Sequence, residues 1–582
     1  MRCRYFITYL FALVALISIA TVFIPYTPLK SLADSIMSDG NFKSLNESNA
    51  IIFRIILGVV GLFFIVASIV IGGGYLYMVL GWFHQYYIDM TIFIKGLKPT
   101  KFDIFPLVTL LLVLGSAVIL RLVYINEQMS HDEGYTFVVF GSTSIFNIVS
   151  NYHLPNNHVL NSLLIFFSTH LLGSQPWAVR LPALSAGLLL IPATFALAKQ
   201  IYDKYTALLS AILITILPGA ILYSTTARGY SLVALFTVLT LLIAYYLREN
   251  KNLFAWSLLV LFSALGFYSV PVMLFPFGVV FVWLFLENLL TPPRSYGSKF
   301  IFLKYWVLAG ISTAVLVLIL YTPIFIYSGT EKVFTNQWVS PEPWLGYISA
   351  IPNRLLNVWH EWTGGLPFIW LILLVVGFCL SLVFHRRIAR NRVPLQIAAF
   401  LWIALLILFR RPEGVTKIWA FLQAPFVIWS ASGIMLFIKD LRIKFAKNLS
   451  VASIVVSVIL LITLVDVTKL SPTIHDRWNQ KGPEEKTVLA IKDQLNTNDL
   501  IIIDPPYDAG IWYYSKLYGL SGDYFNKYLP FNQLFVIVSP SMGQTIQSVI
   551  QSRGPDPNLT DLEAAHLTIN YGYLDTYIVP HR

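Results

Sequence analysis

The chain alternates long apolar runs with short polar loops. About thirteen runs are long enough to cross a membrane as helices, which need roughly 20 apolar residues each. They begin near Tyr5, Ile51, Phe105, Trp177, Ala207, Tyr230, Leu253, Pro271, Phe302, Gly365, Pro394, Val415 and Val451. After the last run the chain is polar for roughly 110 residues. The pattern predicts a polytopic α-helical membrane protein with about 13 transmembrane helices and a C-terminal domain outside the membrane.

Two apolar stretches depart from the simple pattern. The stretch from Leu253 to Leu290 is too long for one helix and is broken at Pro271, so we expect two helices that meet at an outer turn. The stretch from His158 to Leu172 has only about 15 residues, which is typical of an interfacial or re-entrant helix. If it crossed the membrane, Arg386 to Arg392 would face outward, against the usual cation bias. We therefore expect it to lie at the outer surface.

The polar C-terminal segment has its own pattern of elements. Residues from Lys486 predict an amphipathic helix, Asp499 to Asp504 a buried strand, and Asp508 to Leu520 a Tyr-rich helix. Together they predict a small α/β domain. We divide the chain into residues 1–103, with two additional N-terminal transmembrane helices and a loop, residues 104–468, the transmembrane core, and residues 469–582, the C-terminal domain.

Composition and charge support a membrane protein and indicate its orientation. Hydrophobic residues make up 57% of the chain, charged residues 12%, and mean hydropathy is +0.70. The net charge of +11 comes mostly from short loops between apolar runs, so it indicates topology rather than nucleic-acid binding. The loops predicted to be cytoplasmic carry Arg2/Arg4, Lys95/Lys98/Lys101, Lys199/Lys204, Arg248/Lys251, Arg294/Lys299, Arg386/Arg387/Arg390/Arg392 and Lys439/Arg442/Lys444/Lys447. The alternate loops are then extracytoplasmic. Cys3 and Cys379 are too few for a disulfide framework or a thiolate metal site.

Two adjacent carboxylates stand where the third apolar run gives way to water. Asp132 and Glu133 follow this run in a loop predicted to be extracytoplasmic, and membrane proteins commonly place ionisable groups there for substrate chemistry or ion passage. The loop from Ile125 to about Gln175 contains no Lys or Arg. It is either simply a translocated loop or part of an acidic cavity that water can reach.

Four cations are predicted on the same side of the membrane, namely Arg228, Arg410, Arg411 and Lys417. A guanidinium group matches the geometry of a phosphate, although contact with lipid headgroups is an alternative. Carboxylates and cations on one face suggest transfer of a sugar from a phosphate carrier held in the membrane. One carboxylate would take the proton of the attacking hydroxyl, and the cations would stabilise the departing phosphate. Such a direct displacement inverts the anomeric centre.

Four motifs, in this order, resemble a known family. They are His131-Asp-Glu-Gly, Pro155-Asn-Asn-His-Val-Leu160, Trp177-Ala-Val-Arg-Leu-Pro-Ala-Leu-Ser-Ala-Gly187 and Ala227-Arg-Gly-Tyr230. The order resembles the protein O-mannosyltransferase family and its bacterial relatives, including the lipid A aminoarabinose transferases. These are integral-membrane glycosyltransferases of the GT-C type. The resemblance covers roughly residues 105 to 437.

The resemblance implies a GT-C-like catalytic core in residues 104–468, a polyprenyl-phosphate sugar donor and an inverting transfer at an extracytoplasmic site of the plasma membrane. It implies Asp132 as the catalytic carboxylate, with Glu133 beside it. Its motifs supply candidate substrate contacts, namely His131, His158, Arg180 and Tyr230. The family commonly has His-Pro-Pro where this chain has His158-Val-Leu, so the role of His158 is not carried over directly.

Several alternatives stay open. No cofactor is firmly implied, but Asp132, Glu133 and His158 could hold a divalent metal, although two carboxylates and a distant His are a weak signature. The acceptor could be a protein, a glycan or a lipid, membrane lipids surround the core, and nucleic acid is not expected. A transporter or flippase for a lipid-linked or anionic substrate is a second function, which predicts inverted repeats. A membrane scaffold whose C-terminal domain binds a partner is a third.

Overall fold

The computed structural model describes residues 2–36, 47–70, 72–73, 76–97, 104–291, 294–334, 341–411, 415–440 and 484–582. These residues form a mostly helical protein with a small C-terminal sheet, which confirms the predicted fold class. Within them, six helices are long and apolar enough to cross a membrane, or up to nine if each of three bent helix pairs is one span. The count of thirteen is not confirmed, and the run from Val451 lies outside the described residues.

The helices before the C-terminal domain have the following bounds: α1 Arg2–Val22, α2 Tyr26–Ile36, α3 Glu47–Val70, α4 Leu76–Leu97, α5 Ile104–Tyr124, α6 His131–Tyr135, α7 Ile145–Ser150, α8 Val159–Leu172, α9 Pro176–Ile201, α10 Lys204–Ile216, α11 Pro218–Ser224, α12 Tyr230–Glu249, α13 Leu253–Ser269, α14 Leu274–Leu290, α15 Lys299–Tyr327, α16 Glu331–Phe334, α17 Trp344–Thr363, α18 Phe368–Val383, α19 His385–Ile388, α20 Leu395–Arg410 and α21 Gln423–Asp440. A π-helical turn at Thr136–Gly141 follows α6, and 3-10 turns occupy Pro271–Met273, Arg294–Tyr296 and Thr416–Leu422.

Proline positions explain where the apolar runs break. The run from Leu253 is divided into α13 and α14 at Pro271, as predicted. The run from Ala207, which was predicted as one span, consists of α10 and α11, which meet at a bend of 65°. Pro218 opens α11, and a proline cannot donate the backbone hydrogen bond that would continue α10.

Two further helices were not predicted from hydropathy. Helix α4 carries Asp89, a buried carboxylate whose Oδ2 accepts a hydrogen bond of 2.6 Å from the amide of Leu253 and so fixes the start of α13. Such polar residues interrupt the apolar pattern of α4. Helix α17 is amphipathic, so polar residues interrupt the apolar run that would predict a transmembrane helix. It meets α18 at a bend of 115°.

The core of the transmembrane region lies around α12, the most enclosed of the candidate spans. Helices α9, α13, α14 and the 3-10 turn before α21 pack against it. Helix α15, in contrast, is the least enclosed and presents apolar side chains on its outer face. A polytopic protein is expected to do this, because lipid replaces protein around its outermost helices.

The C-terminal domain is a mixed four-stranded sheet with helices on both faces. Its helices are α22 Glu484–Lys492, α23 Asp508–Leu517 and α24 Ile546–Arg553, and its strands are β1 Leu500–Ile503, β2 Gln533–Val538, β3 His566–Asn570 and β4 Asp575–Pro580. The strand order is β1-β2-β4-β3, with β1 parallel to β2 and the other pairs antiparallel. Every residue of β1 is buried because both of its faces are covered. The predicted helix, strand and Tyr-rich helix are therefore confirmed.

A close helix contact near the core generates a test of the fold. Gly433 of α21 packs against Gly377 of α18, and a Cβ atom added at Gly433 would collide with the carbonyl group of Gly377. We expect Gly433→Ala to destabilise the protein by about 1–3 kcal/mol, the usual cost of overpacking. Gly115→Ala on α5 is the matched control, because nothing lies within 4 Å of the added methyl group. Thermal unfolding in detergent measures both, and equal melting temperatures would contradict the packing.

Candidate active site

A single helical turn presents the two adjacent carboxylates in different directions. Helix α6 begins after Ser130, and Glu133 Oε2 accepts hydrogen bonds from the Ser130 backbone amide at 3.1 Å and its hydroxyl at 2.9 Å. These contacts between the residue before the helix and the carboxylate three positions later fix the start of the helix. Glu133 is completely buried, whereas the side chain of Asp132 is 41% exposed. Of the two carboxylates, only Asp132 is therefore accessible to solvent.

Glu133 and Arg180 form a buried ion pair. Arg180 Nε donates to Glu133 Oε1 at 2.8 Å, and its Nη2 donates to Oε2 at 3.0 Å. Oε1 also accepts a hydrogen bond of 2.7 Å from the amide of Ala227. The guanidinium group donates further to the backbone carbonyls of Ile125, Glu127 and Gln128. The pair thus joins the loop after α5, helix α9 and the turn before α12, and both of its members are saturated with protein partners.

Asp132 lies among positive charges. Lys417 Nζ lies 2.8 Å from Asp132 Oδ2, Arg228 Nη2 lies 3.8 Å from the same oxygen, and His131 Nδ1 lies 3.7 Å from Oδ1. Burial opposes ionisation of this carboxyl, but the nearby groups of Arg228, His131 and Lys417 outweigh it and hold its pKa well below the usual range. Asp132 is therefore a carboxylate across the physiological pH range.

Arg228 is held rigidly behind Asp132. Its Nη1 donates to Thr136 Oγ1 at 2.7 Å and to the carbonyl of Asn156 at 3.0 Å. Its Nη2 also lies 3.3 Å from Nε2 of His158, whose Nδ1 accepts a hydrogen bond from the amide of Gly229. Burial and then the charges of Arg228 and Lys417 lower the pKa of His158 well below its ordinary value, so this imidazole is neutral.

Some predicted site residues come together and others do not. The cluster at Asp132 contains His131, Arg228, Lys417 and His158, and the ring of Tyr230 packs edge-on against His158 with centroids 5.1 Å apart. Two predicted cations lie elsewhere. Arg411 donates to the carbonyl of Glu342 and stacks over Trp344, and Arg410 is an exposed residue at the end of α20. Among the described residues, neither arginine contacts the Asp132 cluster.

The metal alternative fits this geometry poorly. In the ranges that the structure describes, no group of three His, Cys, Asp or Glu side chains is placed to hold a metal ion. Of the three residues considered for it, Glu133 has both oxygens engaged by Arg180. The guanidinium group of Arg228 lies within 4 Å of both Asp132 and His158, where a cation would be repelled.

One residue at the site was not predicted from the sequence. Asp508, the first residue of α23 in the C-terminal domain, lies with Oδ1 3.0 Å from Nε2 of His131. It was predicted only as the start of a Tyr-rich helix. Nothing in the pattern of residues signalled that this helix contacts the loop containing Asp132, because the two segments are far apart in the sequence.

The fold is that of a multi-pass helical membrane protein with a small C-terminal α/β domain. Residues 159–327 match the model of the family described as Dolichyl-phosphate-mannose-protein mannosyltransferase, which confirms the resemblance seen in the sequence. The matched segment contains Arg180, Arg228 and Tyr230 but neither Asp132 nor Lys417. No curated protein sequence matches the chain significantly.

Three solved structures are similar to this chain to different degrees. ArnT from Cupriavidus metallidurans in the apo state is 11% identical, with a TM-score of 0.53 over 80% of this chain and 97% of that chain. The same protein bound to undecaprenyl phosphate gives 12% identity and a TM-score of 0.48 over the same shares of the two chains. An oligosaccharyltransferase from Archaeoglobus fulgidus gives 13% identity and a TM-score of 0.43 over 77% of this chain and 70% of that chain. At these identities the likeness to apo ArnT establishes the fold.

The buried ion pair generates a stability prediction. We expect Arg180→Met to destabilise the protein by about 3–5 kcal/mol, because it leaves the Glu133 charge buried without its partner. Lys439→Met is the matched control, because Lys439 pairs with Asp203 at the surface, and it should change stability by no more than about 1 kcal/mol. Thermal unfolding of both purified variants measures the difference. Similar losses for the two would show that the buried pair does not organise the site.

Proposed function

We propose that the protein is an inverting glycosyltransferase that moves a sugar from a polyprenyl-phosphate donor to an acceptor hydroxyl. The observation that carries the proposal is the half-exposed Asp132 carboxylate with Arg228 and Lys417 on its Oδ2 side. The two cations suit the phosphate of a donor, and the exposed carboxylate suits the hydroxyl of an acceptor. The match to a family described by a dolichyl-phosphate-linked sugar supports the same donor class.

The cations have two successive partners in this proposal. Without donor, Asp132 is the counter-ion of Arg228 and Lys417, and its lowered pKa makes it a weak base. A bound donor phosphate takes over the two cations, because it is a phosphodiester whose two free oxygens share one negative charge and can bridge a guanidinium and an ammonium group. Asp132 then loses much of the positive field that depressed its pKa. Donor binding thus produces the base that the reaction needs.

The transfer is a single displacement. The acceptor oxygen forms a bond to the anomeric carbon while the bond from that carbon to the phosphate oxygen breaks, and the electron pair of the broken bond goes to the phosphate. Asp132 accepts the proton of the acceptor hydroxyl. Arg228 and Lys417 stabilise the charge on the departing phosphate. Attack opposite the leaving group inverts the anomeric configuration.

The remaining predicted residues have supporting roles in this proposal. Glu133 and Arg180 hold the loop and the two helices in place, rather than acting as a second catalytic carboxylate and a substrate contact. His158 and Tyr230 lie behind Arg228 and orient its guanidinium group. Arg410 and Arg411 are omitted from the phosphate site because their contacts are elsewhere.

The reaction is proposed to take place outside the cytoplasm, at the plasma membrane. The cation distribution of the loops supports this orientation, because it assigns the loop with Asp132 to the translocated side. The acceptor class is a hydroxyl of a protein, a glycan or a lipid. A panel of acceptors tested with one active donor would assign it.

Substitution of the proposed base tests the reaction. We expect Asp132→Asn to lower kcat by about 10²–10⁴-fold, the usual contribution of a general base. The assay measures transfer from radiolabelled polyprenyl-phosphate sugars by purified protein in lipid, and a chelator arm tests for metal dependence. A folded Asp132→Asn variant with normal transfer would contradict the proposal. No transfer by the wild-type protein from any donor would favour the transporter alternative.

The phosphate site is tested by removing its cations separately. Lys417→Met should raise KM for the donor by about tenfold or more, since each charge-assisted contact is worth roughly 1.5–3 kcal/mol. Arg410→Gln is the matched control. It removes an exposed cation at the end of α20 that does not contact the Asp132 cluster within the described residues, so it should leave KM unchanged. Donor titration of the same radiolabel assay gives both values. A larger effect from Arg410→Gln than from Lys417→Met would place the phosphate elsewhere.

A further inference from the structure

The C-terminal domain packs directly on the helical turn that carries Asp132. Gly134, two residues after Asp132, faces the backbone of Ala509 so closely that any Cβ atom would collide with its carbonyl group. Tyr514 of α23 accepts a hydrogen bond of 3.3 Å from the amide of Met129, and Tyr513 donates one of 2.7 Å to the carbonyl of Ser174. Helix α23 is therefore fitted against the site loop.

A shared apolar core joins the C-terminal domain to the transmembrane region. From the transmembrane region this core contains Met129, Phe137, Ile165, Val179 and Ala227, and from the C-terminal domain it contains Ile501, Ile503, Ile511, Tyr513, Tyr514 and Phe535, among others. Because these side chains are buried together, the domain cannot move away without exposing them. The contact between α23 and α6 is thus a fixed part of the site.

His131 lies between two carboxylates that come from the two parts of the chain. Its Nε2 is 3.0 Å from Asp508 Oδ1, and its Nδ1 is 3.7 Å from Asp132 Oδ1. Asp508 is almost completely buried, and its Oδ1 also accepts a hydrogen bond of 2.8 Å from the amide of Ala509. Its carboxylate therefore has a fixed orientation.

The surroundings of His131 favour its doubly protonated form. The charged and titratable groups that face it are Asp132 on its own turn, Asp508 on α23 and the stacked ring of Tyr135. The contacts with the carboxylates of Asp132 and Asp508 raise the pKa of His131 to about 9, against the opposing effect of burial. Protonated His131 then carries a positive charge between the two carboxylates. Oδ1 of Asp132 faces this imidazolium, while Oδ2 faces Lys417.

We propose that Asp508 is a positioning residue of the transfer site, which holds His131 so that its imidazole orients and charge-balances the Asp132 carboxylate. This inference rests on the proposed function, in which Asp132 accepts the acceptor proton. When the phosphate takes Arg228 and Lys417, His131 is the cation that stays with Asp132. The C-terminal domain thereby contributes to catalysis without touching the substrate.

The test is Asp508→Asn in the full-length protein, which keeps the side-chain shape and an oxygen for the Ala509 amide but removes the charge. We expect kcat to fall at least about tenfold with little change in KM for the donor. A group with a raised pKa is protonated below that pKa, so wild-type activity should persist until about pH 9. In the variant, the fall of activity on the alkaline side of the pH profile (the alkaline limb) should move down by at least about one pH unit, toward the ordinary histidine pKa of about 6.5.

Two controls separate positioning from a general loss of structure. Tyr514→Phe removes a polar contact of the same interface without touching His131, so its alkaline limb should stay where it is in the wild type. In a His131→Gln background, adding Asp508→Asn should cause no further loss of kcat, because the two residues act through one another. An unchanged alkaline limb in folded Asp508→Asn, or additive losses in the double variant, would overturn the inference.

A readout independent of transfer distinguishes this inference from the proposed function. Diethyl pyrocarbonate reacts with a histidine side chain only when the imidazole is unprotonated. Mass spectrometry of the peptide containing His131 therefore reports the titration of His131. We expect modification of His131 to rise near pH 9 in the wild type and at clearly lower pH in Asp508→Asn. If this shift occurs but no sugar is transferred, the contact stands and the proposed function fails. If Asp132-dependent transfer occurs without the shift, the role of Asp508 fails.

Discussion

The buried ion pair of Glu133 and Arg180 is the interaction on which the rest of the site depends. A charge in a protein interior is tolerated only when it is paired and hydrogen-bonded, and here every oxygen of the carboxylate has a donor. The same guanidinium group also donates to three backbone carbonyls of the loop after α5. One pair thereby brings three segments of the chain together and sets Asp132 beside Arg228.

The neighbouring carboxylates show how one helical turn can serve structure and chemistry at once. Successive residues of a helix point about 100° apart, so Glu133 can face the interior while Asp132 is accessible to solvent. The environment then decides what each can do. Glu133 has no free lone pair, whereas Asp132 is surrounded by cations that a phosphate can take from it. In the proposed reaction, this exchange of counter-ions removes the cations that lower the pKa of Asp132 and so makes Asp132 a stronger base.

The sequence predicted those features that follow from hydropathy and from local motifs. The fold class, the division at Pro271 and the elements of the C-terminal domain could be read because apolar length and periodicity determine them. Helix α4 was missed because Asp89 serves a tertiary contact with the start of α13, and the bend at Pro218 was overlooked within an otherwise apolar run. Lys417 was predicted from the side of the membrane on which it lies, and the same reasoning selected Arg410 and Arg411, although Arg411 contacts Glu342 and Trp344 and Arg410 is exposed. The contact of Asp508 with His131 depends on how the domain docks, which no local pattern encodes.

The central claim is that a donor phosphate replaces Asp132 as the partner of Arg228 and Lys417. A structure of the protein with a polyprenyl phosphate bound, determined by electron cryomicroscopy, tests this claim most directly. We expect phosphate oxygens within hydrogen-bond distance of both cations. We also expect Lys417 Nζ to have moved away from Asp132 Oδ2. A phosphate bound at Arg410 or Arg411, with the contact between Lys417 and Asp132 intact, would contradict it.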